Sequence, residues 1–111
     1  METITINGKV FVEADPSLSI YSIIRTFSAG VHFGIITKRD GKEVHLKNSR
    51  RLWYWKGAAS LSQMAVDGLA YPKDCKFSVA VSAIILTEAV EIIPCTEKAA
   101  ECILGVPEWK V

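Results

Sequence analysis

The chain reads as one mainly β domain, a small barrel or rolled antiparallel sheet of SH3-like or OB-like type with two short helices. Three observations predict this. Short runs rich in Val, Ile, Thr, Tyr and Phe recur at close spacing. Asn-Gly and Asp-Gly pairs fall between such runs, where tight hairpins place them. Two stretches, SLSQMAVDG and EKAAECIL, carry helix-capping residues. With half of 111 residues hydrophobic, the chain is long enough for one modest core, so residues 1–111 form a single domain. Residues 1–18 are a hairpin extension and residues 19–111 the core.

TITINGKVFV predicts the first hairpin, turned at Asn7-Gly8, with apolar residues on both faces of both strands. ADPSL breaks it at Asp15 and Pro16. SIYSIIRTF is a strand. VHFGIITKRDGKEVHLKN is a second hairpin closed by Asp40-Gly41. That loop sets Lys38 opposite Glu43, Ile36 opposite His45, Ile35 opposite Leu46 and Thr37 opposite Val44. Val31, Phe33, Ile35, Val44 and Leu46 then form a core stripe, with His32, Gly34, Lys38, Glu43, His45 and Lys47 on the other face.

RRLWYWKG is the next strand, stopped by Gly57. Ser60 and Gln63 form a capping box for a short helix that buries Leu61, Met64 and Ala65 and ends at Gly68. YPKD is a turn. KFSVAV alternates, with Phe77, Val79 and Val81 on one face. AIILTEAVEII is β-rich, and its apolar phase changes near Thr87-Glu88, which predicts a bulge or a bend. Pro94 ends it. Thr96 caps a last helix closed by Gly105.

Net charge is +1, which argues mildly against a general nucleic-acid binder. Yet residues 25–56 hold eight bases against two acids, and residues 82–111 hold five acids against two bases. This asymmetry suits an anionic ligand at one end, or attraction between copies. Cys75, Cys95 and Cys102 form no CxxC pair and lie far in sequence from His32 and His45, so neither a metal nor a disulfide framework is expected. METITINGKV lacks a basic leader and an apolar core, which predicts a cytoplasmic protein. No apolar run is long enough to span a bilayer.

Chemistry concentrates in NSRRLWYWKG. Trp53, Tyr54 and Trp55 are stacking groups, Arg50, Arg51 and Lys56 are phosphate partners, and Asn48 is placed to read a base edge. By alternation Arg51, Trp53 and Trp55 share one strand face, and Leu52, Tyr54 and Lys56 the other. The structural reading is strong here too, since tryptophan is usually mostly buried. TFSAGVHFG is weaker. Ser28-Ala29-Gly30 makes a tight turn with exposed amides, and Gly34 reads as a glycine beneath a bulky neighbour. His32 and His45 share a predicted hairpin face. Arg25 and His32 would assist at the site. No catalytic constellation is evident, so no enzyme is expected, and no cofactor.

At FSAGVHFG, GKEVHLKNSRRLWYWKGAASL and IILTEAVEIIPC the chain resembles a family of small uncharacterised bacteriophage and prophage proteins, over roughly residues 24–97. No activity and no catalytic residue carries over. The resemblance implies a cytoplasmic accessory protein of viral or prophage origin. Many such proteins counter host defence, and some sequester cyclic or modified nucleotides.

The first expectation is therefore a non-enzymatic, homo-oligomeric binding protein. It takes a nucleotide-like anion through Arg25, His32, Asn48, Arg50, Arg51, Trp53, Tyr54, Trp55 and Lys56. The alternatives are a protein-binding inhibitor of a host defence enzyme or nuclease, which would use the same aromatics, and a single-stranded nucleic-acid-binding module.

Overall fold

The computed structural model describes Ile4–Ile6, Lys9–Phe11 and residues 17–111. β1 (Ile4–Ile6) and β2 (Lys9–Phe11) pair antiparallel, with Ile6 opposite Lys9. The expected turn at Asn7-Gly8 and the break at residues 14–16 lie outside the described residues. The main sheet is formed by β3 (Leu18–Thr26), β4 (Val31–Asp40), β5 (Glu43–Tyr54), β6 (Lys76–Phe77), β7 (Val81–Leu86) and β8 (Ala89–Thr96). Its order is β6-β5-β4-β3-β8, with β7 also on β5. β4 occupies one flank of β5, so β6 and β7 share the other, β7 along residues 44–49 and β6 at residues 52–54.

This order forces curvature. β7 lies at one edge of the sheet and β8 at the other, yet only Thr87 and Glu88 join them. The three Cα–Cα steps from Leu86 to Ala89 reach roughly 11 Å at most, so the edges must approach and the sheet rolls. Bonds from Ala89 N to Lys42 O (3.0 Å) and from Phe27 N to Glu88 O (2.9 Å) pin that corner. Among the described residues β7 and β8 share no ladder, so the roll stays open rather than closing into a barrel. The change of apolar phase at Thr87-Glu88 is this bend.

Rolling buries both faces. Ile24, Val44, Leu46, Leu86 and Ala89 fill the inside, with Ile36, Ile84 and Ile92 beside them. The outer face carries Ile23, Phe33, Leu52, Phe77 and Cys95 against the helices α1 (Leu61–Asp67) and α2 (Glu97–Leu104). Tyr21 stacks on Phe33 at 4.7 Å. Both caps form as expected. Ser60 Oγ accepts from Gln63 N at 3.1 Å, and Thr96 Oγ1 accepts from Ala99 N at 3.1 Å. Thr96 Oγ1 also donates to Val66 O at 2.7 Å, which ties the end of α1 to the start of α2.

The β4–β5 hairpin departs from expectation. Asp40 pairs with Glu43, so Gly41-Lys42 is the loop rather than Asp40-Gly41. Gly41 has φ 59°. One positive φ at the first central residue is what a type II′ turn requires, whereas type I′ needs two. Lys38 therefore faces His45, and a register shift at Thr37 then sets Ile36 opposite Leu46 and Ile35 opposite Lys47. The expected stripe splits, with Phe33 on the helix side and Val44 and Leu46 inside the roll. A sheet buried on both faces gives hydrophobic alternation little power to select a register.

Farther along, Asn48 and Ser49 together oppose Gly34, a bulge with Asn48 at φ 51°. Gly34 lies beneath backbone rather than a bulky side chain: a Cβ there would meet Lys47 O and Ser49 Cα, each at 3.2 Å. Two further boundaries shift. KFSVAV divides into β6 and the start of β7, so only Phe77 of its expected stripe is buried. β8 runs through Pro94, which an edge strand accommodates because no partner needs the missing donor.

Candidate functional site

The bulge at Asn48 swaps the faces of β5. Before it, Val44 and Leu46 point into the roll. After it, Arg50 and Leu52 point to the helix side, and Ser49 and Arg51 to the inside. Arg50 and Arg51, adjacent in sequence, thus enter different environments. Arg50 is 4% exposed and spends its whole donor set on backbone carbonyls. Nε reaches Ser78 O (3.0 Å), Nη1 reaches Ile103 O (3.0 Å) and Val106 O (2.8 Å), and Nη2 reaches Phe77 O (3.4 Å) and Pro107 O (3.3 Å). It closes the C-terminal end of α2, where a cation complements the helix dipole, and holds the chain that follows. No donor is left for a ligand.

Arg51 lies opposite His32 across β4 and β5, with its guanidinium exposed and without an ion-pair partner among the described residues. Its backbone is pinned twice, by Arg51 N to Ser78 Oγ (2.8 Å) and Ser78 N to Arg51 O (2.9 Å). Beside it opens a cavity of about 190 Å³ lined by His32, Ser49, Arg51, Ser78, Val79, Val81 and Ile84. Val79, Val81 and Ile84 give it an aliphatic side, and two of its lining residues each carry a buried polar atom without a hydrogen-bond partner, His32 Nδ1 and Ser49 Oγ. His32 is 0% exposed and Ser49 is 1%. Buried polar atoms are nearly always paired, so two orphans in one cavity mark a place that a polar group completes.

The other ring nitrogen fixes the chemistry. His32 Nε2 lies 2.9 Å from Ala29 O, and a carbonyl only accepts, so Nε2 carries the hydrogen and Nδ1 presents a lone pair. Burial, aided by the nearby Arg51 charge, holds the His32 pKa below its ordinary value, while the bond to Ala29 opposes that shift in part. Ala29 is itself held by a local knot. Thr26 Oγ1 accepts from Ala29 N (2.8 Å) and donates to Gly30 O (2.7 Å). The tight turn at Ser28-Ala29-Gly30 therefore serves to orient His32, with the Ala29 amide already engaged.

The remaining expected site residues scatter. Arg25 pairs with Glu91 at 3.1 Å. Asn48 is the exposed bulge residue. Trp53 is 60% exposed and stacks on Trp109 at 4.8 Å, with Lys76 Nζ 5.4 Å from both rings. Tyr54 is exposed. Trp53 and Trp55 do not share a face as expected: β5 stops at Tyr54, and Trp55 turns half-buried against the outer core. Lys56 lies over the Tyr71 ring at 5.3 Å. His45 bonds Glu43 at 3.0 Å beside the hairpin turn, at the other end of β5 from Arg51.

The arrangement thus brings together His32 and Arg51, while Trp53, two residues on, packs with Trp109 and Lys76. Sequence reading missed Ser49, Ser78 and the aliphatic wall. Extending the Arg51–Trp53 alternation back two residues would have reached Ser49. Burial raises the thiols Cys75 and Cys95, the latter to about 12, so neither is a ready nucleophile. Among the described residues no group of three His, Cys, Asp or Glu could hold a metal ion, and no helix is long and apolar enough to cross a membrane.

A family model described as a domain of unknown function, DUF6948, matches residues 20–103. No curated protein and no solved structure matches the chain.

Proposed function

We propose that this chain, which belongs to the DUF6948 family, is a binding protein for a small nucleotide-like anion. The anionic group enters the cavity between β4, β5 and β7 and meets Arg51. The flat part of the ligand lies outside, against Trp53. The observation that carries this reading is the pair of unpartnered buried atoms, His32 Nδ1 and Ser49 Oγ, on two residues that line one cavity beside an arginine with no ion-pair partner among the described residues. Size supports the division. Pockets that enclose drug-sized ligands run to roughly 300–1,000 Å³, so about 190 Å³ suits an anionic group but not a whole nucleotide. Trp53 follows Arg51 by two residues on β5 and stays 60% exposed, which leaves an aromatic surface near the arginine in the chain.

Binding rather than catalysis fits the lining, in which His32 faces Ser49, Ser78 and Arg51 with no carboxylate among the lining residues. The resemblance to phage and prophage proteins supplies the setting we infer, an accessory protein that withdraws such a ligand in the host cytoplasm. The exposed aromatics Trp53, Tyr54, Tyr71 and Trp109 favour a second reading, capture of a host protein.

Calorimetric titration with AMP and with inorganic phosphate tests the proposal. Wild type should bind both, AMP more tightly. Arg51→Ala should weaken both at least tenfold. Arg51→Lys should fall between, because lysine lacks the planar fork, and Trp53→Ala should weaken AMP alone. Added salt should lower affinity only gradually, since few charges meet; a steep slope would indicate a long nucleic acid. No binding of either compound to the wild type, or binding untouched by Arg51→Ala, sinks the reading.

A further inference from the structure

We infer that the cavity selects a phosphate monoester bound with one proton, and rejects the matching diester, because His32 Nδ1 can only accept a hydrogen. This inference rests on the anion site proposed above and names the ligand class it takes. Ala29 O fixes the tautomer by accepting from Nε2, and Ala29 is held in turn by Thr26. The ring is wholly buried, with Ile24 opposite it on β3, Arg51 opposite it on β5, and Ser49, Ser78, Val79, Val81 and Ile84 around the cavity. Arg51 is the one charged group in that set. A positive neighbour and burial both oppose a second proton on the imidazole.

An anion with no hydrogen of its own sets lone pair against lone pair at Nδ1, although it satisfies Arg51. A phosphate monoester carrying one proton answers both groups. Its P–OH donates to Nδ1, and its charged oxygens accept from the Arg51 guanidinium. Ser49 Oγ–H completes the contact, because a hydroxyl rotates to donate where an oxygen faces it. A diester carries the same single charge but has no P–OH to give. The second ionisation of a phosphate monoester lies near pH 6, so the selected form is abundant in mildly acidic solution and scarce at pH 8. A site built on Arg51 alone would do the opposite, holding the dianion more tightly.

The test compares AMP with its phosphate methyl ester on the intact protein at pH 6 and pH 8. AMP should bind at least tenfold more tightly than the methyl ester at pH 6, and should lose most of that advantage at pH 8. His32→Asn, checked by thermal melt for folding, should erase the discrimination, because a side-chain amide can turn to donate as well as accept. Equal affinity for the two compounds at pH 6, or AMP binding tighter at pH 8, overturns the inference and leaves the anion site standing. If neither compound binds at either pH, the anion site falls and this inference with it.

Discussion

Arg50 and Arg51 show how far two identical neighbours can differ. Arg50 is a structural cation with all its donors on carbonyls, and Arg51 is left to meet an anion. Leaving a buried carbonyl without its donor costs about 1–3 kcal/mol. Arg50→Met, which strips the donor from several carbonyls, should destabilise the fold by at least that order in chemical denaturation, whereas Arg51→Ala should leave the midpoint nearly unchanged. His32 makes a second stability statement. Its pKa is lowered on folding, so the unfolded chain binds the proton more readily. The neutral ring's contribution is therefore complete above about pH 6.5 and is lost as pH falls through that value towards the lower folded one. Melting temperature should drop on acidification from pH 7 to pH 5, more steeply in wild type than in His32→Asn, and parallel curves would contradict it. The sequence marked both arginines and His32 as notable. It could not assign their roles, since these depend on which face of β5 each residue takes.

The bulge in β5 decides those faces. Its signal is Asn48 at φ 51°, a conformation that asparagine tolerates better than most residues. Asn48→Gly should keep stability within about 0.5 kcal/mol. Asn48→Val should lose about 1–2 kcal/mol and weaken AMP binding as Ser49 and Arg51 lose their aim. An unchanged Asn48→Val protein would show that the bulge is not needed. Elements with local chemistry were legible in advance. Ser60, Gln63, Gly68 and Thr96 announced both helices and their ends. The β4–β5 register was not legible, because Ile36, Leu46, Phe33 and Leu52 are apolar positions on both faces, and a slip of one residue leaves the pattern almost as good. The turn residues could not arbitrate, since Asp40-Gly41 and Gly41-Lys42 each satisfy a hairpin type.

At the scale of the molecule, the two-residue link between β7 and β8 has the largest consequence, because it rolls the sheet and makes an interior. In the sequence, apolar residues on both faces of residues 3–12 and 84–93 predict a second copy as cover. The roll itself covers Ile84, Leu86, Ala89 and Ile92, and the helices cover Ile93. The proposed homo-oligomer therefore rests on what stays outside, Phe27, Ile85 and Val90. The cavity beside Arg51 carries the proposed function. The most direct test follows the ring nitrogens of His32 by nitrogen-15 NMR during titration with AMP. The Nδ1 resonance should move with saturation as its lone pair gains a donor, while Nε2, held by Ala29, should stay in place. Saturable AMP binding that leaves Nδ1 unmoved would place the ligand elsewhere and contradict the site.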